Sequence, residues 1–121
     1  MVTGARGEGI LELDGEQYAI LLTNRALADA ERMTDKSILQ LLGGVEMGTL
    51  RITDVIHLLT VGLEYARKDG GGKAGGHNTN DAWRLMDGLG FTTVAKAVYD
   101  ALKAVLNYDL EEKEEKASPP E

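Results

Sequence analysis

The sequence predicts a mainly α fold (α+β): an N-terminal β-hairpin packed on a bundle of about five helices, with a disordered acidic tail. Three observations carry this. Residues Glu8 to Leu22, EGILELDGEQYAILL, alternate apolar and polar on both sides of an Asp-Gly pair. From Thr23 onward the apolar spacing changes from two to the three-and-four rhythm of helices. The last fifteen residues, Asn107 to Glu121, hold six acids and two lysines, a net of −4, and close on Ser118-Pro119-Pro120.

The hairpin comes first. Leu11 and Leu13 alternate with Glu12, and Tyr18, Ile20 and Leu22 recur at period two. Asp14-Gly15 supplies the positive φ angles of a type I′ turn. A lone hairpin is marginal in water, so its apolar face must pack on the helices that follow. Thr23 is the expected N-cap of a helix through NRALADAERM, with Leu27, Ala30 and Met33 on one side. Ser37 to Gln40 has capping-box spacing and opens a short helix with Ile38, Leu39, Leu41 and Leu42, which Gly43-Gly44 should end. Thr53-Asp54 starts a third helix running to about Arg67. Its residues Val55, Ile56, Leu58, Leu59, Val61 and Leu63 make it apolar on a broad face and therefore central.

A glycine-rich stretch, RKDGGGKAGGHNTND, spans Arg67 to Asp81. Thr79 or Asn80 then caps a helix through DAWRLMDGL, broken by Gly88 and Gly90. Thr92 or Thr93 caps the last long helix, Val94 to about Asn107, whose Val94, Val98, Ala101, Leu102 and Val105 form an amphipathic stripe. Its extension into the tail should be a turn or two, fraying before the prolines. The expected organisation is one hairpin-plus-helices domain over 1–107 and an acidic tail over 108–121.

Composition narrows the function. The chain has 121 residues, 43% of them hydrophobic, enough for one modest core. No apolar run approaches the ~20 residues of a membrane helix, and MVTGARGEG lacks the apolar stretch of a secretory signal. With no cysteine there are no disulfides, thiolate metal sites or cysteine nucleophiles, which fits a reducing cytoplasm. A net charge of −7 argues against nucleic-acid binding.

The glycine stretch decides whether the chain reads as an enzyme. Gly70, Gly72 and Gly75 match G-x-G-x-x-G, but a helix precedes them and the next helix opens about five residues too late for a dinucleotide site. Aligning Lys73 with a phosphate-loop lysine puts Arg67 where the first glycine belongs and Ala74 where Ser or Thr is needed. Counted as a calcium hand from Asp69, the stretch places Asn80 where a bidentate glutamate belongs. His77 with Asp81 is too small a ligand set for a transition metal. The segment reads as a tether between helices. His57 lies in an apolar helix without a spaced nucleophile, and Glu31 has no second acid beside it for acid/base work. The expectation is no catalytic residue, no cofactor and no metal. Trp83, Met86 and Phe91 flank a glycine-punctuated break and are the candidate partner-binding residues.

The order of elements resembles the tail-assembly proteins of long-tailed phages, in the version found in gene transfer agents and related prophages. The matching residues begin with Arg6-Gly7-Glu8, Leu11, Leu13, Asp14-Gly15 and Tyr18 in the hairpin. Thr23, Leu27 and Glu31 follow, then Ser37-Ile38 and Leu41, then Gly48, Asp54-Val55, Leu58-Leu59 and Gly62-Leu63. Gly90 and the Val94 to Leu106 helix close the match, which covers roughly residues 6 to 107. Where the family often has a glycine before Ser-Ile, this chain has Thr34-Asp35-Lys36. The resemblance implies a non-enzymatic tail assembly chaperone in the bacterial host cytoplasm. Its partners would be the tape-measure protein and the tail-tube protein. The alternative is a structural tail component, tube or connector. Homo-oligomerisation is left open.

Overall fold

A computed structural model describes the backbone of residues 7–70 and 78–117, and the side chains of the second stretch from 79 to 106. The tether reading of the glycine stretch falls mainly on residues 71–77, outside the described residues, as does the Ser118-Pro119-Pro120 end of the tail.

The elements are β1 (Gly7–Leu13), β2 (Glu16–Leu22), α1 (Asn24–Thr34), α2 (Ile38–Met47), α3 (Ile52–Asp69), α4 (Asn78–Leu89) and α5 (Phe91–Ala117). β1 and β2 pair antiparallel, with Gly7 opposite Leu22, Leu11 opposite Tyr18 and Leu13 opposite Glu16. Asp14 and Gly15 have φ of 53° and 81°, the turn their sequence predicts. The register places Gly7, Gly9, Leu11, Tyr18, Ile20 and Leu22 on one face, which meets the helices.

α3 is the hub. Asp54, Val55, Ile56 and every residue from Leu58 to Leu63 are buried, so the helix is covered nearly all round. It packs on β2, α4, α1 and α5. Two glycines set how closely the hairpin sits. A Cβ on Gly62 of α3 would lie 2.6 Å from Ile20 Cγ2, and one on Gly7 would collide with the Ala101 carbonyl oxygen of α5. The core is aliphatic, built from Leu, Ile, Val and Ala, with Tyr18 and Met86 at its edge.

The first two helices start at their expected caps, whereas α4 opens at Asn78, ahead of the expected Thr79 or Asn80 cap. The Thr23 hydroxyl accepts from Ala26 N at 3.1 Å, and Ser37 and Gln40 form the reciprocal capping box. Several expected ends shift. α2 does not stop at Gly43-Gly44 but continues to Met47, where Gly48 caps it with φ of 70°. The Gly44 carbonyl accepts from Thr49 N and Leu50 N, and Leu50 folds back over the space a Gly44 side chain would fill. α3 starts at Ile52, behind an Arg51 N-cap whose side chain bonds Asp54 in the first turn rather than capping a helix amide. Gly88 stays inside α4, and Gly90, with φ of 91°, separates α4 from α5. α5 therefore opens at Phe91 rather than at Val94, because the Gly90 carbonyl already accepts from Val94 N. Its backbone helix continues past Asn107 to Ala117, since no glycine or proline interrupts that stretch. Met33 is 45% exposed, not on the packed side of α1; the buried stripe is Ala26, Leu27, Ala30 and Thr34.

Candidate apolar docking groove

The C-terminal half of α2 and the N-terminal turns of α5 do not close on one another. Between them runs a groove of about 370 Å³, lined by Gly44, Val45, Gly48 and Leu50 on one side. Phe91, Thr92, Ala95, Lys96 and Tyr99 line the other. Among the described residues Lys96 is the only formally charged one in the lining, and it is paired along α5 with Asp100 at 3.1 Å. Each wall has a local cause. Gly44 lets Leu50 approach, with a built Cβ at 3.1 Å from Leu50 Cδ1, and Gly48 turns the chain so that Leu50 can return. Gly90 swings α5 away from α4 and sets Phe91 at the groove's lip, 38% exposed.

The groove is tied at one end. The Tyr99 hydroxyl donates to Glu46 Oε2 at 2.9 Å, joining α5 to α2 across 53 positions of sequence. That carboxylate holds the phenolic proton, and together with some burial it raises the Tyr99 pKa above its ordinary value. Such a tie between exposed side chains is worth little on its own, and α2 has few others. Only Ile38 and Leu41 of α2 are buried, while Leu39 and Met47 are 71% and 80% exposed.

The base of α2 is held more firmly. Glu31 Oε2 accepts from Ile38 N at 2.9 Å, so this carboxylate fixes the α1–α2 turn. Asp54, with its side chain 1% exposed, meets Lys36 Nζ at 2.5 Å and Arg51 Nη2 at 3.2 Å. Burial alone would raise its pKa. The Arg51 and Lys36 hydrogen bonds outweigh that and hold the carboxyl below its ordinary range. A buried carboxylate with two cationic partners ties the turns before α2 and α3 together.

The three sequence candidates separate here. Phe91 lines the groove. Trp83 is 40% exposed on α4 and is not among the groove's lining residues. Met86 is 6% exposed and belongs to the core, so it offers no contact surface, because the α4 face that carries Ala82, Leu85 and Met86 turns inward. Sequence reasoning passed over Val45, Leu50 and Tyr99. The available signal was the composition of ILQLLGGVEM, which has more apolar residues than one buried face can hold. His57 is half-buried within α3. Among the described residues no group of three or more His, Cys, Asp or Glu is placed to hold a metal ion, and no helix is long and apolar enough to cross a membrane.

These features define a small helical protein, fronted by a hairpin, whose concave surface is apolar. The chain belongs to the family described as phage tail tube protein, GTA-gp10, whose model matches residues 6–108. It is thus a phage-tail-related protein. No curated protein and no solved structure matches it.

Proposed function

We propose that the chain is a non-enzymatic tail assembly chaperone, which binds apolar segments of the tape-measure protein and gives them up as tail-tube subunits assemble. The observation that carries this is the α2/α5 groove: Val45, Leu50, Phe91 and Ala95 present apolar surface, and its one charged lining residue is already paired. A helix of the tape-measure protein would lay its apolar face there, reading as anchors at i, i+3, i+4 and i+7. Phe91 is the anchor within the groove, and Trp83 on α4 is a second contact. Release needs only the weak tether of α2, the Tyr99–Glu46 bond, to yield. A bacterial host cytoplasm is the compartment this role requires.

A structural tail role, tube or connector, is the second reading, and the family's description favours it. Among the described residues there are two strands and five helices, which favours the chaperone, because a subunit that polymerises through sheets needs more strand than one hairpin. Co-expression with the tape-measure protein, followed by a solubility assay and pull-down, tests the proposal. Solubilised and co-purifying tape-measure protein supports it. An insoluble, uncaptured tape-measure protein, with this chain present in many copies in purified particles, gives the structural role instead.

A further inference from the structure

The outer face of α2, turned away from the core, is built symmetrically. Gly43 stands at its centre, and a Cβ there would meet nothing within 4 Å. Leu39 lies four residues before it and Met47 four after, both largely exposed, forming one stripe at helical spacing. Buried Leu41 points to the opposite side. Beside the stripe a hollow of about 370 Å³ is lined by Lys36, Gln40, Gly43, Met47 and Leu50.

We infer that this face docks on the same face of a second copy of the chain, with the two α2 helices antiparallel and crossing at Gly43. An antiparallel two-fold pairing puts each residue n positions before the crossing in the same layer as the one n positions after it on the partner copy. Leu39 then packs beside Met47 of the other copy, and Met47 beside its Leu39, so the apolar stripe covers itself. The bare Cα of Gly43 lets the two backbones approach closely at the crossing, as glycine does wherever main chains meet.

Charge points the same way. The chain carries a net −7, so two copies repel over most of their surface. This face is an exception. Its charged groups are Lys36 at the start and Glu46 near the end of α2. Lys36 is bonded to Asp54, and Glu46 accepts from Tyr99. Both charges are therefore satisfied within the chain and neither repels a second copy, and antiparallel crossing opposes the two helix dipoles favourably. The pairing rests on Leu39, Gly43 and Met47, none of which lines the α2/α5 groove, so it does not depend on the chaperone reading.

The test uses the full chain. Sedimentation equilibrium from low micromolar to sub-millimolar concentration is expected to show mass rising from 13.0 kDa toward twice that value. Gly43→Glu should abolish the rise while leaving helical circular dichroism unchanged, because a side chain there enters open space and glutamate is a better helix former than glycine. The chain has no cysteine, so Gly43→Cys gives a single thiol placed at the crossing. On mild oxidation it should cross-link much faster than Glu12→Cys, a control on the exposed face of the hairpin. A wild type that stays monomeric, or a Gly43→Cys chain that cross-links no faster than the control, overturns the inference. Masking of the stripe by the tape-measure protein rather than by a second copy would give that negative result.

Discussion

Replacing Gly62 by alanine tests how the hairpin is seated. The added methyl would stand 2.6 Å from Ile20 Cγ2 and 3.6 Å from Leu22 Cδ2. Carbon atoms pack best at ~3.5–4.0 Å, so Ile20 would have to retreat by about 1 Å. It has nowhere to go, being 1% exposed, with Leu22 at 0% beside it. Overpacking of this kind costs about 2–3 kcal/mol. Alanine also gains about 1 kcal/mol over glycine inside a helix, leaving a net loss of about 1–2 kcal/mol. Gly43→Ala is the internal control. It offers the same propensity gain in open space and should stabilise by about 0.5–1 kcal/mol. Urea unfolding at low micromolar concentration, followed by far-ultraviolet circular dichroism, measures both. The gap between the two variants isolates the packing cost. A Gly62→Ala protein as stable as Gly43→Ala would refute the close seating of β2 on α3.

Four further outcomes are expected. Asp54 has a folded pKa below its unfolded value, so the stability it contributes is present above the unfolded pKa and lost as pH falls through the folded one. Urea midpoints measured downward from pH 7 should fall across the acidic range. Asp54→Asn should flatten part of that fall and lower stability at pH 7 by about 2–3 kcal/mol, moderated because Lys36 and Arg51 remain partly hydrated. Phe91→Ala should leave the unfolding midpoint within about 1 kcal/mol of wild type while cutting tape-measure capture about tenfold, read by quantitative pull-down. Trp83→Ala should also keep the fold and lower capture severalfold; unchanged capture would confine the docking surface to the α2/α5 groove. Tyr99→Phe removes the tie to Glu46, and amide hydrogen exchange in the second half of α2 should accelerate severalfold while α3 stays protected.

Much of the architecture is legible in short sequence signals. Asp14-Gly15 fixes a turn because few other pairs accept two positive φ angles, and the structure has them there. Thr23 and Ser37 mark helix starts because their hydroxyls satisfy amides that nothing else nearby can reach. The apolar run from Val55 to Leu63 marks the central helix because only a helix buried on all sides tolerates it. Helix ends were less legible, and Gly43-Gly44 shows why. Glycine lowers helix propensity without forbidding helix, so the tertiary contact of Leu50 at Gly44 decides the outcome. Phe91 was readable as a large aromatic beside a glycine break, and the structure shows it 38% exposed. Met86 was not separable from it, since one residue of helical rotation moves a side chain from surface to core.

The sequence by itself therefore determined the hairpin, the order of the helices, the aliphatic character of the core and the acidic balance of the chain. Each of these rests on local spacing or on composition, and both are complete in the chain before it folds. Only the tertiary structure decided that α2 runs through its glycines, that Asp54 is buried between Lys36 and Arg51, and that Val45, Leu50, Phe91 and Tyr99 face one groove. Those facts depend on residues far apart in sequence meeting in the fold, as Glu46 and Tyr99 do across 53 positions. No local pattern encodes that distance, because it is set by how α2 and α5 pack together rather than by the propensity of either helix.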